Sequence, residues 1–211
     1  MIPAQFIEHG QEFRFKRGEH LWEQGKPASS LLFLVSGAAK IIREWPTGRH
    51  AVVDLVFRGD ILGEASIRED GVHLGTCIAL SSGRGIRIPS ATVRTLARTD
   101  PTLMNLLLET ALRHQESYAR RLDEIALGSV TNRLARVIIR LGDEVGLPDA
   151  RGTFVPVRLS RSDLADMVGC RVETTIRTMT RWERQKVVET LREGLVIMTP
   201  QALAEAAHTT T

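Results

Sequence analysis

Glycine interrupts the first hundred residues so often that no long helix fits between one and the next. Gly18, Gly25, Gly37, Gly48, Gly59, Gly63, Gly71 and Gly83 separate short apolar and β-branched runs. Runs at that spacing build an antiparallel sandwich or barrel. They predict strands at Gln11–Phe15, His20–Glu23, Leu31–Val35, Ala38–Glu44, His50–Phe57, Thr76–Leu80 and Gly85–Ile88. Pro46-Thr47-Gly48 makes a turn between two alternating runs, because proline presets the backbone and glycine accepts a left-handed torsion. No helix longer than one turn is expected before Ser90.

From Ser90 the apolar period lengthens to that of a helix. Ser90 to Ala97 reads as a short helix capped by Ser90. Asp100 and Pro101 then supply an N-cap and a first helical position, opening a long helix periodic from Leu103 to Ala126. One stripe on it runs Leu108, Leu112, Gln115, Ala119, Leu122 and Ala126, in alternating steps that match a coiled-coil seam. A second stripe, with Met104, Leu107, Ala111 and Tyr118, is expected to pack back on the β-domain. Two apolar faces need two partners, so the seam predicts a homodimer; one broad buried face in a monomer is the alternative. Gly128-Ser129 marks a hinge, dividing the 211 residues into a β-rich domain with its long helix, 1–127, and a second domain, 128–211. Within the latter, Val130 to Val145 is an amphipathic helix, Gly146–Gly152 a loop and Thr153–Val157 a strand.

Residues 158–198 carry most of the functional information. Ser160 and Asp163 approximate a capping box at the start of a helix ending in Met167-Val168. Gly169-Cys170 stops it, since glycine tolerates the left-handed torsion of a tight turn. A second helix follows from Val172 to Lys186, and small Ala165 permits the two to cross closely. Val187–Thr190 and Leu195–Met198 flank Arg192-Glu193-Gly194 as a hairpin wing, and a tail helix follows at Gln201–Ala207. Helix, turn, helix and wing in this order form a winged helix-turn-helix, a DNA-binding architecture.

Glu173 and Arg177 are four apart, hence on one face of the second helix, near the end that enters a major groove. Arginine donates two bonds to guanine O6 and N7, and glutamate accepts from cytosine N4. Arg171 and Thr174 lie nearby for phosphate or flanking-base contacts. Ser160 and Arg161, at the start of the first helix, and Arg181 complete the expected DNA-binding set; Arg184 and Lys186 suit backbone or solvent. A simple intrahelical ion pair between Glu173 and Arg177, worth ~0.3 kcal/mol, is the competing reading. The 24 arginines against four lysines fit phosphate and guanine recognition, although genomic base composition produces the same bias.

Several classes are disfavoured. Cys77 and Cys170 form neither a disulfide framework nor a paired-cysteine metal motif, and both are expected to be small core residues. His9, His20, His50, His73, His114 and His208 include no metal-spaced pair. No metal, cofactor or enzymatic activity is expected. Apolar runs such as Leu31–Val35 fall far short of the ~20 residues that span a bilayer. The N-terminus lacks the cationic start and apolar stretch of a secretory signal. A cytoplasmic protein with no membrane partner is expected.

Over nearly its whole length the chain resembles the Crp/Fnr family of bacterial transcription regulators. The resemblance rests on Trp22-Glu23-Gln24-Gly25, Leu34-Val35-Ser36-Gly37 and Phe57-Arg58-Gly59-Asp60-Ile61-Leu62-Gly63-Glu64. It continues through Leu159–Cys170 and Val172-Glu173-Thr174 to Arg177. It implies an α+β protein: an N-terminal antiparallel β-roll (a double-stranded β-helix of cyclic nucleotide-binding type), a long dimerisation helix and a C-terminal winged helix-turn-helix. It also implies a homodimer on a palindromic double-stranded DNA site, with RNA polymerase as a partner if the protein activates. Glu173 and Arg177 would read the G·C and the neighbouring pair of each half-site.

The effector pocket implied by the resemblance is bounded by Gly63, Glu64, Leu74, Gly75 and Tyr118. Cyclic-nucleotide-binding members carry Arg-Ser or Arg-Thr where Leu74 and Gly75 stand here, and that arginine neutralises the cyclic phosphate. Tyr118 and Ala119 replace the hydroxyls that contact adenine. Cyclic AMP is therefore not the expected effector, and the effector stays unassigned; a rearranged loop 68–74 that recruits Arg68 or Arg84 is the alternative. The oxygen-sensing Fnr type needs four cysteines, twice the number present. Haem would need one histidine ligand, for which His73 is the candidate, though none is expected. A cupin-like enzyme with an appended DNA-binding domain would need a His-x-His pair, which the sequence lacks. Thr175 and Thr178 occupy positions usually aliphatic in the family, so the recognition helix is expected to pack differently.

Overall fold

The computed structural model describes residues 3–208, and of residues 123–126 the backbone alone. The chain forms two compact units, Met1–Ala119 and Arg120–Thr211. The first opens with a short helix α1 (Ala4–His9) and eight strands: β1 (Gln11–Phe15), β2 (His20–Trp22), β3 (Ser30–Ser36), β4 (Ala39–Glu44), β5 (His50–Val56), β6 (Ile61–Leu62), β7 (Thr76–Ala79) and β8 (Gly83–Pro89). They pair antiparallel in two sheets, ordered β1-β8-β3-β6 and β2-β7-β4-β5. Helices α2 (Ser90–Thr99) and α3 (Pro101–Ala126) follow, and α3 continues past Ala119 into the second unit.

β3 explains the unbroken apolar run at Leu31–Val35, for it is covered on both faces. Leu31 and Phe33 pack with Phe6, Val93, Leu103 and Leu107 on the helical side. Leu32 points the other way, joining Ala39, Ile41, Val56, Leu62 and Cys77 between the two sheets. Successive side chains alternate faces, and each fully buried leucine contributes about 1.5–3 kcal/mol. Seven strands were expected and seven occur near their predicted places; β6, only two residues long, was not foreseen. Neither was α1, which has no periodicity to read and is held by Phe6 against the Phe33 ring, 5.5 Å away. Ser90 is the first residue of α2 and makes no side-chain cap bond, whereas Asp100 accepts from the Thr102 N–H at 2.9 Å as expected.

The expected second stripe of α3 needs correction. The side buried in this unit is Leu103, Leu107, Thr110 and His114, while Met104, Ala111 and Tyr118 are exposed. Of the predicted set Leu107 packs inward and Tyr118 borders a cavity of this unit, whereas Met104 and Ala111 stand one position off the buried stripe.

The second unit contains α4 (Val130–Val145), β9 (Leu147–Asp149), β10 (Gly152–Val155), α5 (Arg161–Val168), α6 (Val172–Arg184), β11 (Val188–Leu191), β12 (Gly194–Ile197) and α7 (Pro200–His208). Its sheet runs β11-β12-β10-β9. β9 lies in the stretch expected to be a loop, where it pairs with β10. α4 begins at a reciprocal Ser129–Asn132 capping box and buries Leu134, Ala135, Val137, Ile138 and Leu141 along one side. α6 stops two residues short of the expected end, and Lys186 beyond it turns left-handed at φ 55°.

Candidate nucleic-acid interface and effector pocket

The geometry of α6 follows from how α5 is closed. The Ser160 hydroxyl accepts from the Asp163 N–H at 3.0 Å, and an Asp163 oxygen accepts from the Ser160 N–H at 2.8 Å. At the other end Gly169 takes φ 61° and ψ 48°, a conformation that suits glycine. The Cys170 N–H then donates to Ala165 O at 3.1 Å, completing a tight turn into α6. α6 buries Thr175, Thr178, Met179 and Trp182, which lie on one face. Thr175 finds a polar partner in the Cys170 thiol, 3.2 Å from its hydroxyl. The unusual threonine is thus accommodated at the turn, with its methyl free to pack.

The opposite face presents Glu173, Arg177, Arg181 and Arg184 to solvent, with Ile176 between them at 45% exposure. Glu173 and Arg177 make no ion pair with each other or with another described side chain. The competing intrahelical pair is therefore not formed, and both groups are open to a ligand. Arg171 is exposed at the N-cap of α6 and Thr174 is half-buried beside it. Arg181 lies within 3.4 Å of the Thr131 hydroxyl and remains exposed.

Two expected contact residues are engaged within the protein. The Ser160 hydroxyl is committed to its capping box and also donates to Asp163 Oδ2 at 2.7 Å. Arg161 donates to Glu183 Oε1 and to Thr190 Oγ1, both at 2.8 Å, tying α5 to α6 and to the wing strand β11. Both residues thereby hold α5, α6 and β11 together rather than standing free.

In the first unit, Gly63, Glu64, Leu74, Gly75 and Tyr118 border one cavity of about 110 Å³. Gly63 adopts φ 82°, and a Cβ there would stand 2.6 Å from Ser30 O, so only glycine turns the chain into the short 3-10 helix Glu64–Ile67. Glu64 thereby faces the cavity, where its carboxylate meets His114 Nδ1 of α3 at 3.0 Å. Burial opposes charge on both, but their mutual attraction outweighs it: the Glu64 pKa is lowered and the His114 pKa raised. Asp54 of β5 meets α3 one turn further on, where the Ser117 hydroxyl donates to it at 2.8 Å, yet burial still raises its pKa.

His114 was not foreseen, although its place one turn before Tyr118 was the available signal. Trp22 and His73 complete the wall, stacked with ring centroids 4.4 Å apart. Leu74, 68% exposed, stands at the mouth. Arg68 pairs with Asp70 at 3.1 Å, and neither Arg68 nor Arg84 lines the cavity. Burial raises the pKa of Cys77, consistent with a core thiol, while Cys170 is half-buried in its turn. No group of three or more His, Cys, Asp or Glu among the described residues converges as a metal site. No helix among them is long and apolar enough to cross a membrane.

Leu108, Leu112 and Leu122 of the predicted seam are 58%, 50% and 70% exposed. Gln115 and Ala119 between them are exposed as well. Ala126, the last seam position, lies outside the described side chains.

The cyclic nucleotide-binding domain family matches residues 12–100, and the Crp-like helix-turn-helix domain family matches residues 132–206. A relative described as the CRP-like cAMP-activated global transcriptional regulator of Mycobacterium tuberculosis is 22% identical over 205 residues, spanning 97% of this chain and 92% of its own. FixK2 from Bradyrhizobium japonicum shares the fold with a TM-score of 0.82 at 16% identity, covering 96% of this chain and 99% of that one. The c-di-GMP responsive global regulator CLP from Xanthomonas campestris does so with a TM-score of 0.77 at 22% identity, covering 92% and 99%.

Proposed function

This chain belongs to the Crp/Fnr family of bacterial transcription regulators, and on that footing we propose that it acts as a homodimer that reads a near-palindromic promoter site and answers to an effector other than cyclic AMP. The observation that carries the DNA-reading half is the side-by-side, uncommitted pair Glu173 and Arg177 on the exposed face of α6. One acid and one guanidinium in that order match a cytosine N4 donor and a guanine O6/N7 acceptor pair. The exposed leucines of α3 supply the seam by which two copies would associate. Such a regulator acts where chromosomal DNA lies, in the cytoplasm, and would meet RNA polymerase there if it activates.

Selection of bound duplexes from a random pool tests this directly. A two-fold-symmetric motif with half-sites about one helical turn apart is the expected outcome. Absence of any enriched motif at moderate salt would contradict it.

The second half of the proposal rests on the cavity. At about 110 Å³ it is well below the ~300 Å³ of pockets for drug-sized ligands. It offers a cyclic phosphate no arginine, and its carboxylate is already engaged by His114. Calorimetry with cyclic AMP and cyclic GMP should therefore give no saturable heat, and operator affinity at fixed salt should not change. Saturable binding of either nucleotide would favour the rearranged-loop alternative.

A further inference from the structure

We propose that the cavity of Glu64 and His114 is built for a small planar ligand that donates hydrogen bonds and bears no negative charge, an amide or an amidinium; this rests on taking the cavity as the effector site. Its ionisable lining consists of Glu64, His73, His114 and Tyr118, with no lysine or arginine. Glu64 and His114, 3.0 Å apart, are engaged with each other. His73 adds no positive charge near neutrality, because burial lowers its pKa to about 4. An entering anion would meet the Glu64 carboxylate with no lysine or arginine in the lining to receive it, since Arg43 stands outside at the rim, donating to the Leu74 carbonyl at 3.1 Å. Repulsion in a partly dry site is poorly screened.

A donor meets the reverse situation. A carboxylate has lone pairs beyond the one that His114 uses, and a planar amidinium fork matches it with two parallel bonds. Trp22 and Tyr118 provide aromatic walls, and Ile41 and Leu62 apolar ones, that suit a flat body and favour a cation over an anion. The volume sets the size: an apolar cavity of ~150 Å³ holds benzene, so about 110 Å³ limits the enclosed part of the ligand to less than that, the rest reaching out at the mouth beside Leu74. Because His114 sits on α3 and Glu64 on the short helix after Gly63, a ligand that takes Glu64 competes with a bond holding α3 to the roll.

Benzamidine, benzamide and benzoate share one skeleton and differ in the charge of the head group. They are titrated into the full chain at neutral pH and fixed ionic strength, with thermal unfolding and tryptophan fluorescence as readouts. Benzamidine and benzamide are expected to raise Tm saturably at millimolar concentrations, and benzoate to leave it unchanged. Glu64→Gln should weaken benzamidine by about tenfold or more and admit benzoate, since His114 then lacks its carboxylate. Leu74→Arg, at an exposed position on the rim, should shift preference toward benzoate even if Glu64→Gln does not fold. Benzoate binding as well as benzamidine in the wild-type chain, or no saturable binding of any of the three, would overturn the proposal. Either result leaves operator binding intact, so failure of the regulator reading is recognised separately, by wild-type protein that enriches no DNA motif.

Discussion

His73 lies flat against Trp22, their planes 11° apart, and burial depresses its pKa from 6.5 to about 4. A histidine depressed in the fold contributes stability that is fully present above its unfolded pKa and is lost as pH falls through the folded one. The chain should therefore lose roughly 3 kcal/mol between pH 6.5 and pH 4 from this residue, taking 1.36 kcal/mol per unit. The Glu64–His114 pair behaves otherwise. Glu64 is lowered, so its contribution is present above its ordinary value of 4.5 and is lost as pH falls through its lowered pKa. His114 is raised, so its contribution is present below 6.5 and is lost as pH rises through its raised pKa. Between about 4.5 and 6.5 the pair is at full strength, and the acid-side decline belongs to His73, opposed by Asp54, whose raised pKa makes its protonation favour the fold as pH falls. His73→Phe, which keeps the stack on Trp22, is expected to flatten chemical-denaturation stability across that window. An unchanged slope would show that His73 titrates as it does in the unfolded chain.

At the scale of elements, α5, α6 and the wing meet at one guanidinium. Arg161 reaches Glu183 and Thr190 at 2.8 Å each, and Glu183 sits on the helix proposed to face DNA. If only long-range charge mattered, Glu183→Gln would tighten DNA binding by removing an anion near phosphates. A clamp predicts the opposite sign: operator affinity falls about fivefold, for ~1 kcal/mol of lost hydrogen bonding. The salt dependence should hold, because its slope counts phosphate contacts. Tighter or unchanged operator binding in filter or anisotropy titrations would refute the clamp. The elements themselves were largely readable because their signals are local. Ser160 with Asp163, Gly169 at the turn, and alternating strands each announce themselves within a few residues. β6, β9 and α1 gave no such signal, being too short to show a period. In the cavity, Gly63, Glu64, Leu74, Gly75 and Tyr118 were legible through family resemblance. His114 and Trp22 were not, because their partners Glu64 and Gly75 lie 50 and 53 residues away in sequence.

For the whole molecule, Leu108, Leu112 and Leu122 leave an apolar seam half or more exposed on a charged helix. A two-stranded pairing would bury it, and each leucine so covered contributes about 1.5–3 kcal/mol. Sedimentation equilibrium should show two chains per particle for the wild type and one for the double variant Leu108→Glu, Leu112→Glu. That monomer should also bind the operator weakly, since half-sites gain by linkage of two recognition helices. A wild-type monomer at micromolar concentration would refute the seam.

Base preference in Arg177→Ala, set beside the wild type position by position on a selected operator, tests DNA reading by α6 most directly. Readout by Arg177 predicts a loss of about 1–3 kcal/mol, with preference flattened at one symmetry-related pair of positions and retained elsewhere. Uniform weakening on every sequence with all preferences intact, or no change at all, would contradict it.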